Sequence, residues 1–164
     1  MSFDGVNDWL TVNDSASLDL VSAMTLEAWV RPSGLGGMWR TVLLKERPGG
    51  MVYALYANQD TGRPLGQVFI GSERNAVGTA SLTVDTWSHL AATFDGANLR
   101  LYVNGALVAT TAVAGSMAAS TGVLRIGGNS VWSEWFAGLI DEVRIYNRAL
   151  TQSEIQTDMN RAVG

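Results

Sequence analysis

Apolar residues come in short runs or alternate with polar ones, and glycine, asparagine or proline breaks the runs at close intervals. Residues 8–13 (DWLTVN) alternate, placing Asp8, Leu10 and Val12 on one face of a strand and Trp9, Thr11 and Asn13 on the other. Residues 24–31 (MTLEAWVR) predict a second strand, closed by Pro32, which has no amide proton for a ladder. A glycine-rich loop, SGLGGMWR, carries Trp39 and Arg40. Strands follow over 41–46 and 51–57, joined through Pro48, Gly49 and Gly50. Residues 66–71 and 76–83 predict two more. The firmest pattern spans 87–110, where Asp95-Gly96 and Asn104-Gly105 separate three apolar runs. Both dipeptides tolerate positive φ, so they predict a three-stranded antiparallel meander. Residues 122–127 and 135–146 complete the set, and Gly138 marks a bulge or a close approach. Thr151 and Glu154 stand at capping-box spacing, which predicts a short helix over 152–161.

About eleven short strands with turn signals every 8–12 residues predict an all-β, antiparallel two-sheet sandwich, with a jelly roll as the default arrangement. The 164 residues suit a single domain over 1–164 that builds its core unaided. No stretch of about 18 apolar residues spans a membrane. Eleven lysines and arginines against 15 acids, with no basic block, disfavour a nucleic-acid partner. Cysteine is absent, which excludes disulfides, thiolate metal sites and a cysteine nucleophile. The opening MSFDGVND has neither the charged start nor the apolar core of a signal peptide, so a domain cut from a longer chain is expected.

The blocks FDGVNDWLTV, MTLEAWVRP, WSHLAATFDGANLRLYVNGALVA, LRIGG and FAGLIDEVRIYNRALTQSEI occur in this order from Phe3 to about Met159. Together they resemble the laminin-G-like and pentraxin-like domains of the concanavalin A-like lectin/glucanase superfamily, and the bacterial laminin-G-like group in particular. The resemblance implies two curved antiparallel sheets, with loops at the rims of a concave face. It also implies a module of a larger secreted or surface protein, extracellular and monomeric as an isolated domain. Glycan binding is the default use of that geometry. The fold alone does not fix function, because lectins, hydrolases and protein-binding domains share it.

Catalysis is not expected. Glycosidases need paired carboxylates about 5–10 Å apart, and the Glu-x-Asp-x-Glu strand of the superfamily's hydrolases is absent. Asp141 and Glu142 are adjacent, so on a regular strand they point to opposite faces. His89 lacks a nearby acid in sequence and reads as structural.

The resemblance implies a structural calcium between the chain ends, held by Asp4 and Asp141 with Asp8 as a third carboxylate and backbone carbonyls completing the shell. For glycan, the expected surface is aromatic. Trp29, Trp87 and Trp135 read as packing residues, whereas Trp39 and Trp132 lie in polar, glycine-containing loops. An indole stacks on the C–H face of a sugar, and Arg40, Arg74 and Glu134 on neighbouring loops supply hydrogen bonds. Tyr53 and Tyr56 fall on opposite faces of their strand, so one should point outward. Glu27, Glu142 and Arg144 read as cross-strand ion pairs on a solvated face. The expected role is a non-catalytic carbohydrate-binding module that takes a polysaccharide or glycan. A protein-binding or adhesion spacer is the alternative, and a glycoside hydrolase the remote third.

Overall fold

The computed structural model describes residues 1–161. Its strands are β1 (Ser2–Asp4), β2 (Leu10–Val12), β3 (Met24–Pro32), β4 (Arg40–Arg47), β5 (Gly50–Asn58), β6 (Leu65–Ile70) and β7 (Ser72–Val77). They continue with β8 (Ser88–Phe94), β9 (Asn98–Val103), β10 (Ala106–Ala112), β11 (Leu124–Ile126), β12 (Gly128–Asn129), β13 (Glu134–Trp135) and β14 (Ala137–Tyr146). Helix α1 spans Gln152–Met159. The first sheet runs β1-β14-β3-β8-β9-β10 and the second β2-β11-β4-β5-β6-β7. Every pairing is antiparallel, and β12 and β13 form a separate two-stranded hairpin.

The sandwich follows from alternation. Leu26, Ala28 and Val30 of β3 and Leu90, Ala92 and Phe94 of β8 face inward from the first sheet. Tyr53 and Leu55 of β5 and Val68 of β6 meet them from the second. Burying each large side chain contributes about 1.5–3 kcal/mol, and truncating one such as Leu55 to alanine costs about 2–5 kcal/mol. The 87–110 meander forms as β8-β9-β10, with Asn104 at φ 51° and Gly105 at φ 73° making its second turn.

The structure departs from the sequence pattern at several places. The strand expected over 76–83 lies at 72–77, because Gly71 at φ 70° turns the chain straight from β6 into β7. Its residues Ser72 to Asn75 are polar because β7 is the edge of the second sheet and five of its positions are exposed or half-buried. Residues 122–127 carry only the short β11, since Gly127 at φ 82° breaks the strand and starts the β12–β13 hairpin. Tyr53 and Tyr56 do fall on opposite faces, but both are fully buried.

Gly138 is a close approach. A Cβ there would lie 2.2 Å from the Arg31 carbonyl oxygen, and its φ is 131°. Helix α1 is set by the expected capping box: Thr151 Oγ1 accepts from the Glu154 amide at 3.3 Å, and Glu154 Oε2 accepts from the Thr151 amide at 2.8 Å. Its buried Ile155 docks with Leu150 against Ala91 and Tyr102 on the outer face of the first sheet.

Candidate glycan-binding cleft and the family of the fold

The outer face of the second sheet is apolar rather than solvated. Leu44 and Ala54 lie side by side on β4 and β5, with Met51, Tyr56 and Leu65 in the same buried cluster. Two loops cover this cluster. The 33–39 loop lays the Trp39 ring edge-on against Tyr56, with ring centroids 5.0 Å apart. The Trp39 indole N–H donates to Asp60 Oδ1 at 2.7 Å, which fixes the ring. The β12–β13 hairpin carries Trp132 at its tip, 41% exposed.

Asn129, fully buried, organises that hairpin. Its Nδ2 donates to Thr41 Oγ1 and to Glu134 Oε2, both at 2.8 Å. Its Oδ1 accepts from the Trp132 amide at 2.8 Å, which seats the tip. Ser130 donates its amide and hydroxyl to Glu46 Oε1 at 2.9 and 2.8 Å, pinning the hairpin to β4.

Between the two indoles lies a cleft of about 170 Å³, lined by Trp39, Tyr56, Gln67, Glu73, Trp132 and Glu134. The Tyr56 hydroxyl donates to Glu134 Oε2 at 3.0 Å, and Gln67 Nε2 donates to Glu73 Oε2 at 3.3 Å. Burial raises the Glu134 carboxyl above its usual range, and hydrogen bonds from Asn129, Tyr56 and Thr41 oppose the shift. Burial and then the adjacent Glu134 charge push the Tyr56 phenol far up, so it acts only as a neutral donor.

Of the glycan-binding residues expected from sequence, Trp39, Trp132 and Glu134 come together at this cleft and the two arginines do not. Arg40 donates to the Trp135 carbonyl at 2.9 Å and to the Leu35 carbonyl at 3.4 Å, and so serves the loop backbone. Arg74 pairs with Val68, whose side chain faces the core, so it points away from the face that carries Glu73. Tyr56, Gln67 and Glu73 were not singled out as site residues. The signal for Tyr56 was its alternation against Tyr53. Gln67 and Glu73 give no local signal, because only the β6–β7 register joins them to the loops.

The three carboxylates expected to hold calcium are not gathered. Asp4 Oδ1 accepts from the Val6 and Asn7 amides, and Asp8 Oδ2 accepts from the Asp4 amide, so both acids cap one turn. In the β1–β14 ladder Asp4 faces Ala137, four residues before Asp141, a separation of roughly 13 Å along the strand. Among the described residues, no group of three or more His, Asp or Glu side chains is placed to hold a metal. The chain ends do meet as expected, but through backbone: the Met1 amine donates to the Ile140 carbonyl at 2.8 Å.

Asp141 belongs to a second cleft, of about 310 Å³, on the outer face of the first sheet, lined by Trp29, Trp87, Asp141 and Glu142. Adjacent acids share it because β14 bulges between Asp141 and Arg144, with Glu142 at φ 51°. The bulge overturns the expectation that the two point to opposite faces. Trp87 is 41% exposed here rather than packed away. Arg144 pairs with Glu142 at 3.0 Å, but within β14 rather than across strands, and Glu27 does not join a solvated ion pair. It is fully buried on the face that α1 covers, and neither of its oxygens has a hydrogen-bond partner. Burial, then the Asp158 charge, pushes its carboxyl up to about 7, against a lowering by Arg144. His89, edge-on to Trp29 with ring centroids 5.4 Å apart, is pushed down to about 4, chiefly by burial. It packs against Trp29 as a neutral ring.

A laminin G family model, described as the concanavalin A-like lectin/glucanases superfamily, matches residues 4–156. The chain belongs to this family. The laminin G-like domain is also 31% identical to mouse pappalysin-1 over 157 residues, which is 84% of this chain and 10% of that protein. It therefore spans about a tenth of the curated relatives it matches. Among solved structures it superposes on domain 4 of AbnA, an extracellular arabinanase from Geobacillus stearothermophilus determined with arabinotriose. The TM-score is 0.75 at 18% identity, covering 96% of this chain and 85% of that one. It also superposes on the LG4-5 domains of the mouse laminin α1 chain, with TM-score 0.71 at 16% identity, covering 92% and 43%. These structural likenesses show the fold. No helix of the laminin G-like domain, among the described residues, is long and apolar enough to cross a membrane.

Proposed function

We propose that this laminin G-like domain is a non-catalytic carbohydrate-binding module of a larger extracellular protein, holding glycan in the Trp39–Trp132 cleft. The observation that carries the reading is the pair of indoles flanking an open cleft with polar groups between them. Sugar rings offer C–H faces to indoles, and Glu73, Gln67 and Glu134 stand where ring hydroxyls need acceptors. The likeness to an arabinanase domain determined with arabinotriose supports the class of ligand without naming it. Calcium has no part in this proposal, since Asp4, Asp8 and Asp141 do not converge. With few polar groups converging, affinity is modest and the domain works as a monomeric unit.

Calorimetric titration against a panel of soluble polysaccharides, neutral and charged, tests it. Heat from one polymer class, lost in Trp132→Ala, is the expected result. Silence from folded protein across the panel would favour a protein-binding or spacer role.

One observation favours a second reading. Two carboxylates, Glu73 and Glu134, line the same cleft, and burial raises the second of them. A glycosidase needs a raised acid and a partner. New reducing ends released from a bound oligosaccharide, and lost in Glu134→Gln, would replace the binding-only account.

A further inference from the structure

The cleft is lined by acids and by no base. Its six lining residues include Glu73 and Glu134, and Asp60 stands behind Trp39, where its charge adds to the raised proton affinity of Glu134. The arginines of the surrounding strands are committed elsewhere. Arg47 lies over the Phe69 ring, 3.7 Å from its centroid, and its Nε donates to the Met51 carbonyl. Arg40 is tied to backbone carbonyls, and Arg74 leaves from the opposite face of β7.

The hydrogen-bonding inventory has the same sign. Donors from Thr41, Tyr56 and Asn129 all reach Glu134 Oε2, which leaves Oε1 as the acceptor for a ligand. Glu73 receives one amide proton from Gln67 and keeps further lone pairs. The Trp39 N–H is already used by Asp60. The cleft therefore offers acceptors and negative charge between two π-faces.

We propose that the cleft selects glycans carrying protonated amines, such as 2-amino-2-deoxyhexose units, over neutral chains, and rejects uronate-bearing or sulfated ones. This rests on the glycan reading above and names the substrate class of that site. An ammonium group between Glu73 and Glu134 donates where the cleft accepts, and it meets the indole faces as a cation. A sugar carboxylate or sulfate meets like charge in a partly desolvated site and finds no cation to pair with.

The test is calorimetric titration of the intact domain at about pH 6 and low salt with three β-1,4-linked hexamers, of glucosamine, glucose and glucuronic acid. The expected order is glucosamine about tenfold tighter than glucose, and no heat from glucuronic acid. Added salt weakens the glucosamine complex. Glu73→Gln, an exposed position on an edge strand, abolishes the preference for the amine and keeps the fold. Equal affinity for glucosamine and glucose hexamers, or measurable glucuronic acid binding, overturns the charge selection. Binding of a neutral glycan without binding of the glucosamine hexamer overturns it too and leaves the glycan reading standing. No binding of any glycan overturns both.

Discussion

The Tyr56 hydroxyl donates to Glu134 Oε2 at 3.0 Å and so ties the floor of the second sheet to the hairpin that carries Trp132. One bond joins a strand residue to a hairpin residue 78 positions away. Tyr56→Phe removes the donor and keeps the ring against Trp39. The expected outcome is a loss of about 1 kcal/mol in stability and weaker glycan binding. Chemical denaturation and calorimetry on the same variant check it, and unchanged binding would mean that the hairpin needs no tether.

Asn129 is the more demanding residue. It is fully buried and holds Thr41, Glu134 and the Trp132 amide at once. Asn129→Ala leaves those partners unsatisfied in a buried setting and costs about 2–4 kcal/mol. Glycan binding falls with it, because the Trp132 indole loses its seat. Retention of full affinity in a folded Asn129→Ala protein would contradict this role.

Gly138→Ala places a Cβ 2.2 Å from the Arg31 carbonyl oxygen at a φ of 131°. The β14–β3 ladder must part there, and the expected loss is about 3 kcal/mol or more. A thermal melt within two degrees of the parent would show that the ladder relaxes freely.

Stability against pH should reveal Glu27 and His89 as opposed terms. The Glu27 carboxyl is raised from 4.5 to about 7, so the native state holds its proton longer. That contribution is full below about 4.5 and is lost as pH rises through about 7. The His89 ring is lowered from 6.5 to about 4, so its contribution is full above about 6.5 and lost as pH falls through about 4. Between about 4.5 and 6.5 the two slopes cancel. Each amounts to roughly 3 kcal/mol at full extent. Relative to the parent, Glu27→Gln should gain stability steadily from pH 5 to 7. His89→Gln should gain as pH falls from 6 to 4. A constant offset across that range in both variants would contradict the shifts.

With Asp4 roughly 13 Å along the ladder from Asp141, calcium should leave the melting temperature unchanged. A site filled at 100 times its Kd would add about 2.7 kcal/mol, or several degrees. A shift of that size, reversed by EDTA and absent in Asp4→Asn, would show that the chain ends do gather a cation.

Much of the fold was legible in the residues. The Asp95-Gly96 and Asn104-Gly105 turns, the Thr151–Glu154 capping box and the inward alternation of β3 and β8 are local signals, and local physics satisfies them. Errors fell where tertiary register overrides the local pattern. Asp141 and Glu142 share a face only because β14 bulges, and SERNAV forms a strand only because β6 offers it a partner. The site was legible in part for the same reason. Trp39 and Trp132 stood out as indoles in polar loops, whereas Glu73 and Gln67 join them only through the β6–β7 pairing.

The most direct measurement records the six tryptophan indole N–H resonances by heteronuclear NMR while a binding oligosaccharide is added. The account predicts that the Trp39 and Trp132 signals shift together and saturate, while Trp29 and Trp87 stay in place. Shifts confined to Trp29 and Trp87 would move the site to the opposite sheet and contradict the cleft assigned above.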